Sequence, residues 1–131
     1  MADYQGLLPN IEKVWSQIGK HKKQLVGATP FCTTSDYVKD DRKKYQQVRF
    51  NNTKYYVHII AAMIQEGRAP APGEEASHLC HFGDCVTPDH LCFENGEINK
   101  TRSCCKMFCH VDGYVCPHVP SCLGARALMR P

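Results

Sequence analysis

The chain has 131 residues, with 16 Lys+Arg against 13 Asp+Glu for a net charge of +3, and an apolar fraction of 43%. That length suits a single domain over 1–131, and that apolar fraction argues against wholesale disorder. No run approaches the roughly 18 apolar residues a membrane-spanning helix needs, and the opening MADYQGLLPNIEKVW lacks the basic start and apolar stretch of an export signal.

Residues 10–19 predict a short amphipathic helix. Ile11, Val14, Trp15 and Ile18 follow the i, i+3, i+4, i+7 pattern, with Asn10 as cap and Gly19 as stop. Residues 24–50 are β-like. Leu25-Val26, Phe31 to Thr34, Tyr37-Val38 and Tyr45 to Phe50 are strand formers, broken by Gly27, Pro30 and a polar stretch from Lys39 to Lys44. Charge concentrates in the same region. Residues 20–54 hold nine Lys/Arg and three Asp, a net +6, while the rest of the chain sums to −3. Segregated positive charge suits a polyanion, and basic antiparallel hairpins are one device for entering a DNA major groove. Residues 53–66, TKYYVHIIAAMIQE, are nearly continuously apolar and predict a buried helix stopped by Gly67. His58 in that run is expected to be a core histidine. Residues 68–76 are expected to be a Pro/Gly/Ala linker.

The chain carries nine Cys and seven His, and eight of the cysteines lie between Cys80 and Cys122. An odd count without an export signal favours reduced thiolates binding metal over a disulfide framework, and a nuclear or cytoplasmic location. Cys80, Cys85 and His90 are spaced C-x4-C-x4-H, one ligand short of a tetrahedral zinc site, and the isolated Cys32 is available to complete it. Cys116, His118 and Cys122 give C-x-H-x3-C, with Cys105 or Cys104 upstream as the fourth. Two closed sites of this kind are structural, because neither keeps a position open for chemistry. Between the ligands, SHLC and HLCFE read as two short strands and ENGEINKTR as a helix. His78 falls on the first strand and Asn99 on the helix. A neutral imidazole can take a proton from water near neutral pH, and a carboxamide oxygen can serve a hard cation such as Mg²⁺.

These motifs, SHLCH, the second Cys, P-x-H-L-C, an aromatic followed by Glu, NK-x-R, Cys, and C-x-H-x3-C over residues 77–122, resemble the His–Cys box of the His–Cys box homing endonucleases, within the ββα-metal (His-Me finger) nucleases. The resemblance implies an α+β fold with two structural zinc sites and an N-terminal antiparallel β-sheet region. It implies His78 as general base, Asn99 as sole protein ligand of one catalytic divalent ion, and an Arg on the scissile phosphate, for which Arg49 is the candidate and Arg42 the runner-up. The zinc sets it implies are Cys32, Cys80, Cys85 and His90, then Cys105, Cys116, His118 and Cys122. Cys109 and His110 in the long interval before Cys116 are rival ligands for the second set. Cys92 is expected to be a buried small hydrophobe, and His81 an exposed or outer-lying residue. The implied activity is Mg²⁺-dependent, site-specific cleavage of double-stranded DNA leaving 5′-phosphate and 3′-hydroxyl ends, by a homodimer. Nine residues follow Cys122, so a dimer without a long swapped C-terminal tail is expected. The presence of both His78 and Asn99 favours this over a zinc-stabilised DNA-binding module without catalysis.

Overall fold

A computed structural model describes residues 2–24, 32–108 and 113–122. The first turns are α1 (Tyr4–Leu7), a 3₁₀ turn (Leu8–Asn10) and α2 (Ile11–Gly19). The Asp3 side chain accepts a hydrogen bond from the Gly6 N–H at 3.0 Å and starts the first of them. Helix α2 follows its apolar stripe: Val14 and Ile18 are fully buried, and Ile11 and Trp15 pack beside them. Its ends differ from the sequence expectation. Asn10 makes no side-chain cap bond, and Gly19 stays inside the helix. The chain leaves instead through a tightened last turn, with the Lys20 and His21 N–H groups on the Gln17 and Ile18 carbonyls.

Among the described residues, three two-stranded antiparallel sheets follow. The first pairs β1 (Lys22–Gln24) with β2 (Thr33–Ser35), and the second pairs β3 (Gln47–Phe50) with β4 (Thr53–Tyr56). The predicted strand formers from Leu25 to Phe31 lie outside the described residues, and Tyr37-Val38 is not strand. The β3–β4 hairpin turns on Asn51 and Asn52, both at positive φ, the backbone that a two-residue hairpin loop demands. That hairpin corrects the expected helix over 53–66. Its first four residues are strand β4, and α3 runs only over Val57–Glu66. Gly67, at φ +71°, ends α3 as predicted, with its N–H on the Met63 carbonyl.

The expected linker is also shorter, because β5 (Glu74–His78) begins inside it. Strand β5 pairs with β6 (Leu91–Asn95), and α4 (Gly96–Phe108) starts without a break. The Asn95 side chain caps α4 by accepting from the Ile98 N–H at 2.8 Å. Helix α4 extends beyond ENGEINKTR through Cys104 and Cys105. This is the ββα unit read from the sequence, and the fold class is α+β. The main core joins Val14 and Ile18 of α2, Val57, Ile60 and Met63 of α3, and Leu91 and Phe93 of β6. From the loop between β5 and β6 it takes in Val86, and it leaves the rest of that loop, and the described segment after α4, to be held by other means.

Candidate active site

The means are two clusters of soft ligands. Cys32, immediately before β2, meets Cys80, Cys85 and His90 from the β5–β6 loop. Backbone bonds dock the two segments: the Val86 N–H reaches the Thr33 carbonyl at 2.8 Å, and the Thr33 N–H reaches Thr87 Oγ1 at 2.9 Å. His90 Nδ1 lies 3.4 Å from Sγ of both Cys32 and Cys85. The second cluster holds Cys105 of α4 with Cys116, His118 and Cys122, and His118 Nδ1 lies 3.1 Å from Cys105 Sγ and 3.4 Å from Cys116 Sγ. In each cluster every donor atom lies within 4.8 Å of the others. Sulfurs around tetrahedral zinc, at Zn–S of about 2.3 Å, stand roughly 3.8 Å apart. Both Cys₃His sets therefore fit structural zinc, as the sequence proposed. Burial and charge sharing divide the thiols of the first cluster. Cys85 is drawn down to about 4, chiefly by the Cys80 side chain, while burial pushes Cys32 up to about 12.

Between Cys104 and Cys105 the structure selects Cys105. It is buried in the cluster, whereas Cys104 is exposed. Cys109 and His110 lie outside the described residues. Cys92 is buried and joins neither cluster. His81, at φ +66°, is half-buried, and burial lowers its ring to about 4, followed by repulsion from Lys106 and Arg102.

The first cluster also aims a histidine. His78 ends β5, and its Nε2 lies 3.0 Å from the Cys85 carbonyl oxygen. A carbonyl only accepts, so Nε2 carries the proton and the neutral ring keeps its lone pair on Nδ1. The ring belongs to an aromatic stack. Its centroid is 5.3 Å from His58 and 6.2 Å from Tyr45, and His58 stacks on Tyr45 at 4.3 Å. His58 is buried, as expected of a core histidine, but it also lines an open cleft of about 920 Å³. Its Nδ1 is buried without a hydrogen-bond partner. Nothing in the apolar run around it marks this position.

Asn99, in the second turn of α4, lines the same cleft. Its Nδ2 donates to Glu75 Oε1 at 2.9 Å. A carboxylate only accepts, so the amide orientation is settled and Oδ1 is turned away from Glu75. Glu75 lies on β5, three residues before His78, so one short strand holds both groups. Arg42, Lys44 and Lys54 line the cleft together with the acids Asp40, Asp41, Glu74 and Glu75. His78 is not among the lining side chains; its ring stacks on His58, which is. Arg49 is exposed on β3 opposite Lys54 and lines a separate hollow of about 340 Å³. Of the two arginines weighed from the sequence, Arg42 shares the cleft with Asn99.

Burial, then the facing His78, lowers His58 from 6.5 to about 3. Burial also lowers His78, against the opposing pull of Cys85. The sign of the consequence follows directly. Below pH 6.5 the unfolded His58 charges while the folded one stays neutral down to about 3, so stability falls as acid is added across that window. The loss reaches up to about 1.4 kcal/mol per pH unit for one such proton. His58→Phe keeps an aromatic ring and removes the titration. Denaturant midpoints at about pH 7 and about pH 5.5 in saturating zinc should therefore differ less in His58→Phe than in the native chain. An equal difference in both would assign the acid loss to other groups.

A family model described as the zinc-binding loop region of homing endonuclease matches residues 29–129.

Proposed function

The chain belongs to that family of homing-endonuclease zinc-binding loop regions, and from that premise we propose that it is a Mg²⁺-dependent endonuclease hydrolysing phosphodiester bonds of double-stranded DNA at a specific site. One observation carries the proposal. The zinc loop fixes the His78 ring through the Cys85 carbonyl, while Glu75 of the same strand turns the Asn99 carboxamide, in the cleft that the His58 stack adjoins.

His78 Nδ1 is the atom that takes the proton of the attacking water. Desolvation keeps the imidazole neutral and ready to accept at pH 7. His58, neutral beside it, presents no charge to oppose the imidazolium that forms. Asn99 Oδ1 is the protein atom that would hold the divalent ion, a hard oxygen donor suited to Mg²⁺. When bound, that ion supplies charge stabilisation at the leaving oxygen. Arg42, Lys44 and Lys54 neutralise phosphates, and we assign the scissile-phosphate contact to Arg42 because it lines the cleft. The exposed hairpin β3–β4, with Arg49 and Lys54 paired across it, supplies the major-groove face. One such cleft per chain attacks one strand, so cleavage of both strands calls for a homodimer. The thiol chemistry suits the reducing nucleus or cytoplasm, and among the described residues no helix is long and apolar enough to cross a membrane.

The test is supercoiled-plasmid cleavage by the two-zinc protein across a Mg²⁺ titration. Asn99→Ala is expected to raise the Mg²⁺ needed for half-maximal rate by about tenfold or more, since even an outer partner of a metal site is typically worth about 10–100-fold. A superimposable titration would remove Asn99 from the cation. Native protein that binds DNA with both zincs and never cuts would replace the nuclease with a DNA-binding module.

A further inference from the structure

Two consecutive residues of α4 touch the second ligand cluster, and neither is a ligand. Thr101 Oγ1 lies 2.6 Å from the Ile98 carbonyl, to which it must donate, and 2.8 Å from His118 Nε2. With its proton spent on Ile98, Oγ1 can only accept from His118. Nε2 therefore carries the ring proton, and the lone pair sits on Nδ1, the nitrogen that faces the cysteines.

Arg102 is 2% exposed. Its Nε and Nη2 grip the two oxygens of Glu94 at 2.5 and 2.8 Å. Its Nη1 is left to donate to the Pro120 carbonyl at 2.9 Å and to Cys122 Sγ at 3.2 Å. A guanidinium carries five N–H donors, and the carboxylate takes two of them. Here the guanidinium reaches past its partner to the last ligand of the cluster. Three thiolates and an imidazole around zinc leave net negative charge on the sulfurs, which a guanidinium N–H stabilises.

We propose that Thr101 and Arg102 are the outer supports of the second zinc site: Thr101 fixes the His118 tautomer, and Arg102 stabilises the Cys122 thiolate. Together they fasten the zinc loop to the helix that carries Asn99. They are positioning residues, and their role holds whether or not the cleft cuts DNA. Residues 113–122 bury little else, because Val115 and Val119 point to solvent and Cys122 is the one fully buried side chain of the segment. The site therefore depends on α4 for its shape.

The experiment uses the full chain with both sites filled. Zinc release to a chromophoric chelator is followed in Thr101→Val, Thr101→Ser, Arg102→Lys and Arg102→Met. Losing such a partner typically costs about 10–100-fold in metal affinity. Thr101→Val is expected to weaken one of the two zincs by about tenfold and to leave the other unchanged, and Thr101→Ser is expected to restore it. In the ¹¹³Cd-substituted protein, one of two resonances should shift in Thr101→Val and Arg102→Lys, and coupling to the Cys116 β-protons identifies it as the second site. Should Arg102→Met fail to fold, the isosteric Thr101→Val and its serine rescue decide alone. Unchanged release and unchanged resonances in Thr101→Val and Arg102→Lys would overturn the proposal. So would an equal loss at both sites, the mark of general destabilisation.

Discussion

His78→Ala is expected to lower the single-turnover cleavage rate by about 10²–10⁴-fold while leaving DNA affinity within a few-fold of the native chain. The two readouts separate because different groups serve them. The proposed phosphate contacts are Arg42, Lys44 and Lys54, which line the cleft, and salt-sensitive affinity follows such cations. His78 contributes no exposed charge. Its Nε2 is spent on Cys85, and its ring is stacked against His58 and Tyr45. The alanine variant leaves a hole beside His58, so zinc content and thermal midpoint are measured alongside. His78→Gln, which can still reach the Cys85 carbonyl, is the control with less disturbance. Undiminished cleavage by either variant would remove His78 as the base. A stronger reading comes from the pair His78→Ala and His58→Phe. If His58 only packs, its phenylalanine variant keeps most of the rate, whereas a loss comparable to that of His78 would make the two imidazoles a functional unit.

The zinc ligands were legible in the sequence because soft donors in short loops encode their own geometry. C-x4-C-x4-H and C-x-H-x3-C each close a turn around one ion, and only the distant fourth ligand needs the fold. The choice between Cys104 and Cys105 is not legible from a helix that ends near Arg102. Once α4 runs to Phe108, Arg102 and Cys105 stand three apart on one face and Cys104 rotates to solvent. Hairpin β3–β4 was missed for a different reason. In TKYYVHII the alternating strand residues run straight into the helix, and continuous apolarity hides the change of period. The Asn51-Asn52 pair carried the turn signal. His58 was opaque. Its partners Tyr45 and His78 lie 13 and 20 residues away in sequence, and no local pattern announces a stack assembled by three separate elements. The choice between Arg42 and Arg49 depended on the irregular 39–46 stretch, where an isolated bridge between Lys39 and Gln46, not a periodic strand, sets the geometry.

Removing zinc is expected to undo both the fold and the reaction, with different consequences at the two sites. Structural zinc binding in small domains is worth about 10–16 kcal/mol, comparable to or above the about 5–15 kcal/mol that separates a typical domain from its unfolded state. Among the described residues the first cluster has little apolar surface of its own, with Phe82 the one partly buried hydrophobe packed on Cys32, Cys80 and Cys85. It nevertheless ties β2 to the β5–β6 loop and sets the Cys85 carbonyl that orients His78. Cys85→Ala is therefore expected to lose one zinc and to abolish cleavage even where circular dichroism still reports α3. The core of Val14, Ile60, Met63 and Leu91 takes only Val86 from that loop. Cys122→Ser acts elsewhere. It is expected to free residues 113–122 and the end of α4 in hydrogen exchange, with smaller effect on the His78 stack, because the second cluster meets the ββα unit at α4, through its ligand Cys105 and through Thr101 and Arg102. Full chelation should collapse the near-ultraviolet signal and the thermal transition together. A chain that keeps both after two zincs are stripped has a core that suffices without them, and the clusters would then be passengers rather than supports.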